Sequence, residues 1–163
     1  MQDGARATAA VQYGPMILAL LALIASGQPF SCKVVGVHDG DGPFHCSSGV
    51  SIRLAGVQAP DFENTEPCKQ GRAEFVCSDR QARESRDRMR DLIQGRTIDC
   101  IATGKSYKRT VATCTLQGAD LSCLAIKDGI AARWAKYDRG GRLLRCEQHE
   151  TLHDYIVRKW GRP

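Results

Sequence analysis

The sequence lacks any C-x2-C pair, although it contains eight cysteines. Paired cysteines at that spacing are typical ligands of structural zinc, so their absence argues against a zinc-binding domain. All of the cysteines lie from Cys32 onwards, and an even number of them in an exported chain indicates disulfide bonds. Cys68 and Cys77 bracket a short loop and are the first candidates for a local bridge.

A hydrophobic run long enough to cross a membrane is also missing. The apolar stretch MILALLALIA at 16–25 is about half the length that a membrane-spanning helix needs. Small residues at 25–27 offer a signal-peptidase site, so residues 1–27 are predicted to be a cleaved secretory signal. A start at Met16 and an uncleaved anchor are the alternatives. The predicted location is secreted or periplasmic, with no stable membrane partner after cleavage.

Aromatic residues are few, at 6% of the chain, and the basic residues are spread rather than grouped in a block. A base-stacking surface of the kind that single-strand binders use therefore cannot be picked out of the sequence. The net charge of +5 is compatible with a polyanionic partner, but many secreted domains are equally basic. With 163 residues and no internal repeat, the chain is predicted to form one domain, assumed to be a monomer.

Hydrophobic periodicity predicts five strands and three helices. The strands are predicted at 33–37, 44–46, 50–54, 97–102 and 110–116. Helices are predicted after the capping box Ser78-x-x-Gln81, after Asp120 and at 142–160, whereas TGKSYKR at 103–109 is predicted to be a polar loop. The order βββαββαα predicts an α+β fold, a small five-stranded barrel of the OB-fold type with helices packed on it.

The stretch HDGDG at 38–42 follows the first predicted strand and has two interpretations. Two aspartates bracketed by glycines make a tight hairpin turn. The same aspartates also offer the carboxylate oxygens that a hard cation such as Ca²⁺ prefers.

Four segments, in this order and spacing, resemble the staphylococcal nuclease (thermonuclease) family: VVGVHDGDG, IRLAGVQAPD, SYKR and ADLSCLAIKDGIA. The resemblance extends over residues 32–160, essentially the whole predicted mature chain. It implies an OB-fold barrel that hydrolyses phosphodiester bonds in DNA or RNA with Ca²⁺ or another divalent cation.

The resemblance also implies roles for individual residues. Asp41 matches a metal ligand and Asp39 the acidic position beside it, while Arg53 and Arg109 match two arginines that stabilise charge developing on the phosphorus centre. A guanidinium forks onto two phosphoryl oxygens, which lysine cannot imitate. Tyr107, beside Arg109, is a candidate for contact with a base or sugar, and so is Tyr137.

Four positions depart from the family pattern or use the main chain, and one of them is Gly42, which stands where a threonine is usual. Gln58 stands where a second metal-binding aspartate is expected, although its oxygen can still bind a cation, and Ala59 offers a backbone oxygen. Asp61 stands where a glutamate base is expected and is one methylene shorter. One carboxylate fewer weakens a calcium site, and a misplaced base slows catalysis. The alternative to a nuclease of weakened activity is therefore a degraded OB module that binds nucleic acid or another polyanion without cutting it.

HETLH at 149–153 matches the H-E-x-x-H signature of zinc proteases, with His149 and His153 on one helical face. Zinc proteases of this type need a third ligand further along the chain. No His or Glu follows His153, so a metalloprotease is a distant alternative.

Overall fold

The computed structural model describes residues 26–147. The predicted signal up to residue 25, the HETLH motif and most of the predicted last helix lie outside the described residues. The start of that predicted helix falls within them and forms a short 3-10 turn at Leu144–Cys146 instead of an α-helix.

The described part of the chain forms eight β-strands and three α-helices. The elements are β1 (Pro29–Val37), β2 (Phe44–Cys46), β3 (Ser51–Leu54), β4 (Val57–Gln58), α1 (Glu66–Lys69), α2 (Asp79–Ile93), β5 (Thr97–Ser106), β6 (Arg109–Leu116), β7 (Ala119–Asp120), α3 (Leu121–Lys127) and β8 (Ala132–Arg133). The five strands predicted from the sequence are all present, as β1, β2, β3, β5 and β6. The helix α1 and the two-residue strands β4, β7 and β8 were not predicted.

The strands β1, β2, β3, β5 and β6 close into a barrel. Antiparallel pairing gives the order β3-β2-β1-β5-β6, and parallel pairing of β3 with β6 joins the two ends. This closed mixed sheet, with helices packed on it, confirms the predicted OB-like α+β fold. Closure brings the β1–β2 turn, the end of β3 and the start of β6 to the same mouth of the barrel.

The predicted polar loop at 103–109 is wrong, because β5 and β6 continue through most of it. Their pairing runs on to Ser106 opposite Arg109, which leaves Tyr107 and Lys108 as the turn. The side chains there are polar because this end of the ladder projects beyond the core, but the backbone hydrogen bonds still form. Arg109 is consequently held on a strand.

The helix α2 covers one side of the barrel with a single face. Ala82, Ser85, Met89 and Ile93 are its buried residues, and they recur at helical spacing as the sequence predicts. The Ser78 side chain caps its N-terminus by accepting a hydrogen bond from the Gln81 amide.

Four disulfide bonds hold the fold together: Cys32–Cys46, Cys68–Cys77, Cys100–Cys114 and Cys123–Cys146. The predicted Cys68–Cys77 bridge is confirmed. Disulfides at this density are typical of proteins that fold outside the reducing cytoplasm. Between residues 26 and 147, no helix is long and apolar enough to cross a membrane.

Candidate active site

One cleft of about 650 Å³ at the barrel mouth collects most of the side chains that the sequence singles out. The predicted site residues that line it are Asp39, Asp41, Arg53, Gln58, Asp61, Tyr107, Arg109 and Tyr137. Ala59 is buried, with 2% of its surface exposed, and contributes backbone groups. A cavity of this size matches those that bind small ligands or single groups of a polymer.

The HDGDG turn is wedged between α2 and β3, which explains its glycines. A Cβ at Gly40 would lie 1.8 Å from the Ser85 hydroxyl oxygen, and one at Gly42 would lie 2.4 Å from the Ile52 carbonyl oxygen. Gly42 also has φ of +113°, in the region that favours glycine. The two interpretations of this stretch are therefore compatible, because the tight turn is what carries Asp39 and Asp41 into the cleft.

Asp41 is buried, and one of its two carboxylate oxygens has two partners. Its Oδ2 accepts a hydrogen bond from the Ala59 amide at 2.6 Å and pairs with Arg53 Nη2 at 2.9 Å. Burial nevertheless raises the pKa of Asp41 to about 6, against the opposing effects of Arg53 and the Ala59 amide. The ion pair with Arg53 and the Ala59 amide therefore do not offset the effect of burial on this carboxylate.

Asp39 has fewer favourable partners than Asp41 among the described residues. Its Oδ1 accepts a hydrogen bond from the Gly40 amide at 2.7 Å. Within residues 26–147 it forms no ion pair with a lysine or arginine. Burial, together with the charge of Asp41, raises the pKa of Asp39 to about 7. The fold therefore holds two carboxylates close together at a cost in electrostatic energy.

Arg53 is surrounded by acceptors of its own chain. Its Nη1 donates to the carbonyl oxygens of Asp41 at 3.1 Å and Leu54 at 3.2 Å. Its Nη2 donates to the Val57 carbonyl at 3.0 Å and to Gln58 Oε1 at 2.8 Å, besides the ion pair with Asp41. In this arrangement the terminal N–H groups of Arg53 hold the loops of the cleft together and are not free to fork onto a phosphate.

Arg109, in contrast, keeps most of its donors available. Among the described residues its guanidinium donates one hydrogen bond, to Ser106 Oγ at 3.2 Å. Burial, and after it the charge of Arg53, lowers the pKa of Arg109. Two guanidinium groups that are close enough to repel each other make a site that favours an anion.

Gln58 and Asp61 both line the cleft and are joined by a hydrogen bond. Gln58 Nε2 donates to Asp61 Oδ2 at 2.7 Å and to the Ala59 carbonyl at 3.1 Å. Burial raises the pKa of Asp61, and the hydrogen bond from Gln58 opposes that rise. The side-chain oxygen of Gln58, predicted as a metal ligand, is turned toward Arg53 instead of the aspartates.

The far wall of the cleft is aromatic, and most of it was missed by sequence reasoning. Trp134 packs edge-on against Tyr137, with ring centres 4.4 Å apart, and against Phe75 at 5.6 Å. Phe75 belongs to the Cys68–Cys77 loop, which the cysteines reveal, but nothing in the sequence says what the loop packs against. Tyr107 is 97% exposed at the β5–β6 turn.

The oxygen donors fit a hard divalent cation in kind, because carboxylates of Asp39, Asp41 and Asp61 and the Ala59 carbonyl are ligands that calcium prefers. Burial is the largest cause of the raised pKa values of Asp39 and Asp41, and a cation beside them would favour their ionised forms. Across residues 26–147, however, no group of three or more His, Cys, Asp or Glu side chains is close enough to hold a metal ion. The donors therefore match a divalent cation in kind, but the described residues do not form a preformed metal site.

Asp39→Asn is expected to raise the free energy of unfolding by on the order of 4 kcal/mol at about pH 8 without divalent cations, and to leave it nearly unchanged at about pH 3. The native pKa is raised from 3.8 to about 7, so the unfolded chain ionises first and wild-type stability falls across that interval. The asparagine variant avoids this loss. Urea unfolding at both pH values measures the difference.

Asp91→Asn is the matched control, since it removes one negative charge at an exposed position of α2. An equal gain from both variants, or a gain for Asp39→Asn that does not change with pH, would contradict the electrostatic explanation.

No protein-family model matches this chain, and no curated protein is significantly similar to it. The thermonuclease resemblance therefore depends on the four sequence motifs, and it stays a prediction. What the fold adds is that residues of three of those motifs, VVGVHDGDG, IRLAGVQAPD and SYKR, line one cleft although they are far apart in the chain.

Proposed function

We propose that this chain is an exported nuclease of thermonuclease type, secreted or periplasmic, whose cleft hydrolyses phosphodiester bonds of nucleic acid with a divalent cation. The observation that carries the proposal is the meeting of acidic and basic side chains in one cleft. Among the described residues Asp39 forms no ion pair, and Arg109 donates one hydrogen bond and keeps its other donors available. A phosphodiester with its bound cation would offer a partner to each.

Arg109 is the group best able to bind the phosphate. Its free N–H groups can fork onto two phosphoryl oxygens and stabilise the charge that grows there as the phosphorus is attacked. Arg53 contributes its positive charge to the same field, and its hydrogen bonds keep Asp41 and the Val57 carbonyl in position.

Asp61 is the candidate base. Its half-buried carboxylate lines the cleft and has a raised pKa, which makes it a better proton acceptor than an exposed aspartate. It takes one proton from the attacking water while the water oxygen bonds to phosphorus and an ester P–O bond breaks. The leaving sugar oxygen acquires a proton from solvent.

Asp39 and Asp41 would hold the cation, together with the Ala59 carbonyl. A divalent cation in this position supplies neutralisation of the phosphate charge and polarisation of the phosphoryl group. Few charged ligands predict weak binding, in the millimolar range by order of magnitude.

A second candidate, binding of nucleic acid or another polyanion without cleavage, is favoured by a specific observation. The Gln58 amide donates to both Asp61 and the Ala59 carbonyl, and both terminal nitrogens of Arg53 donate to acceptors of its own chain. If these bonds persist in the presence of substrate, the base and the cation ligands remain occupied and only the attraction of Arg109 for phosphate is left.

The two candidates differ in their dependence on the cation. The full chain, produced in an oxidising compartment, is incubated with plasmid DNA, single-stranded DNA and RNA in Ca²⁺ or in chelator. Cleavage that requires Ca²⁺ supports the nuclease. Salt-sensitive binding in chelator, with no cleavage in Ca²⁺, Mn²⁺ or Mg²⁺, supports the binding module and rejects the nuclease.

A further inference from the structure

The β5–β6 turn holds a tyrosine at a position where the backbone favours glycine. Ser106 pairs with Arg109, so Tyr107 and Lys108 form a two-residue turn, and Tyr107 has φ of +54°. That value lies in the left-handed region, which a bulky side chain seldom adopts because its Cβ crowds the following carbonyl oxygen. Residues kept in such a conformation against the local preference cluster at functional sites.

The turn between β6 and β7 offers a comparison within the same chain. Gln117 has a similar φ of +52°, but it is a polar, exposed residue followed by a glycine. Gln117 does not line the cleft, whereas Tyr107 lines it together with Arg109. A left-handed turn position therefore does not call for an aromatic side chain, and the tyrosine at 107 needs another explanation.

The Tyr107 ring is open on both faces. The side chain is almost completely exposed, and among residues 26–147 no other aromatic ring and no lysine or arginine packs on it. Trp134 and Tyr137 differ, because they are already in edge-on contact with each other. A ring that is backed by protein can stack on one base, whereas a ring with two open faces can lie between two bases.

The charges on either side of the ring favour a nucleic acid strand as its partner. Lys105 and Arg109, each two residues from Tyr107, both line the cleft. Neither forms an ion pair with a carboxylate of the described residues. Such cations attract the phosphates of a strand, so the exposed ring between them lies within reach of its bases.

We propose that Tyr107 is a wedge that enters between two successive bases of a single strand whose phosphate is bound by Arg109. This role rests on the proposed function only in taking nucleic acid as the ligand. A single strand is the expected substrate class, because its bases separate without the cost of opening a paired duplex. The wedge holds the strand in register, so that one phosphodiester stays beside Arg109.

Tyr107→Gly removes the ring and relieves the backbone, so the melting temperature is expected to equal or exceed that of the wild type. Its affinity in chelator for a labelled thymidine oligonucleotide of about eight nucleotides is expected to fall about thirtyfold, because two bases lose their stacking partner. Tyr107→Phe keeps the ring and should stay within about threefold of the wild type. Fluorescence anisotropy measures the affinities.

Gln117→Gly is the matched control, since it relieves the same backbone conformation at a turn outside the cleft, and its affinity should equal that of the wild type. Binding by Tyr107→Gly as tight as that of the wild type overturns the wedge. So does a melting temperature of Tyr107→Gly that is lower by more than about 4 °C, because the ring would then have a packing role.

An oligonucleotide of the same length that lacks all bases separates contact with bases from attraction to phosphates. The preference of the wild type for the thymidine chain over this abasic chain is expected to be about thirtyfold larger than the preference of Tyr107→Gly. An equal loss of affinity for both chains in Tyr107→Gly would mean that Tyr107 acts on the sugar-phosphate backbone alone, and it would overturn the wedge.

A strand of 2-aminopurine tests insertion directly. Neighbouring 2-aminopurines that stack on each other give a coupled circular dichroism signal at wavelengths where protein does not absorb, and a ring between them removes it. The signal is expected to fall at saturation with the wild type and with Tyr107→Phe, and to persist with Tyr107→Gly. A signal that persists with the saturating wild type overturns the wedge.

The proposed function and the wedge fail in different ways. Insertion in chelator by a chain that cuts no nucleic acid in any divalent cation refutes the nuclease and leaves the wedge standing. Cation-dependent cleavage of single strands, with equal affinity of the wild type and Tyr107→Gly for the thymidine chain, refutes the wedge and leaves the nuclease standing.

Discussion

Arg109→Ala is expected to slow phosphodiester cleavage by about a hundredfold to a thousandfold, the usual loss when one preorganised donor to a developing oxyanion is removed. The free energy of unfolding is expected to change by less than about 1 kcal/mol, since Arg109 is half-buried and donates one hydrogen bond among the described residues, to Ser106. Initial rates on single-stranded DNA in Ca²⁺ and urea unfolding give the two values.

Lys108→Ala provides the matched control for Arg109. Lys108 is the exposed neighbour in the β5–β6 turn and does not line the cleft, but its loss removes the same charge. A rate lowered equally in both variants would mean that Arg109 acts only through the overall field. Arg109→Lys keeps the charge but not the fork, so we expect it to recover less than about a tenth of the lost rate.

Arg53→Ala is expected to have its main effect on stability, with a loss of about 3–5 kcal/mol in the free energy of unfolding and a melting temperature lower by roughly 15 °C. The variant leaves Asp41, which is 4% exposed, as a buried charge without its ion pair. It also removes the donor shared by the Asp41, Leu54 and Val57 carbonyls. Thermal and urea unfolding in chelator measure the loss.

The exposed Arg145 supplies a control for Arg53, since Arg145→Ala removes the same charge without uncovering a buried carboxylate. The double variant Arg53→Met with Asp41→Leu replaces the pair by apolar side chains and should recover much of the stability lost in Arg53→Ala. Loss of cleavage in Arg53→Ala with unchanged stability would contradict this account and would favour the direct phosphate contact that the sequence resemblance implies.

The strands of the barrel and the helix α2 could be predicted from the sequence because each depends on a pattern among neighbouring residues. Alternation along 110–116 and the apolar run at 33–37 belong to β6 and β1, and Ser78 caps α2 as its sequence suggests. The ladder through 103–109 was missed because its pairing is made by backbone groups, while its side chains are those of an ordinary polar loop.

The acidic, amide and arginine residues of the cleft were also predictable, but the hydrogen bonds that they form were not. The motifs place Asp41, Arg53, Gln58 and Asp61 in order along the chain, yet the partner of each donor is set by how the turns meet. Arg53 is bonded to carbonyls of three separate positions, and Gln58 presents its NH2 group to Asp61. No side-chain pattern encodes those contacts, because most of the acceptors are backbone oxygens.

The Cys68–Cys77 bridge bears on how the chain responds to a protease. The loop that it closes exposes Lys69 and Arg72, both of which are cleavage points for trypsin-like enzymes. A single cut between the two cysteines leaves the fragments covalently joined. Asp61 is tied to the residues flanking Cys77, since its amide donates to the Val76 carbonyl and its carbonyl accepts from Ser78. A nicked chain therefore remains one molecule, with the candidate base still anchored.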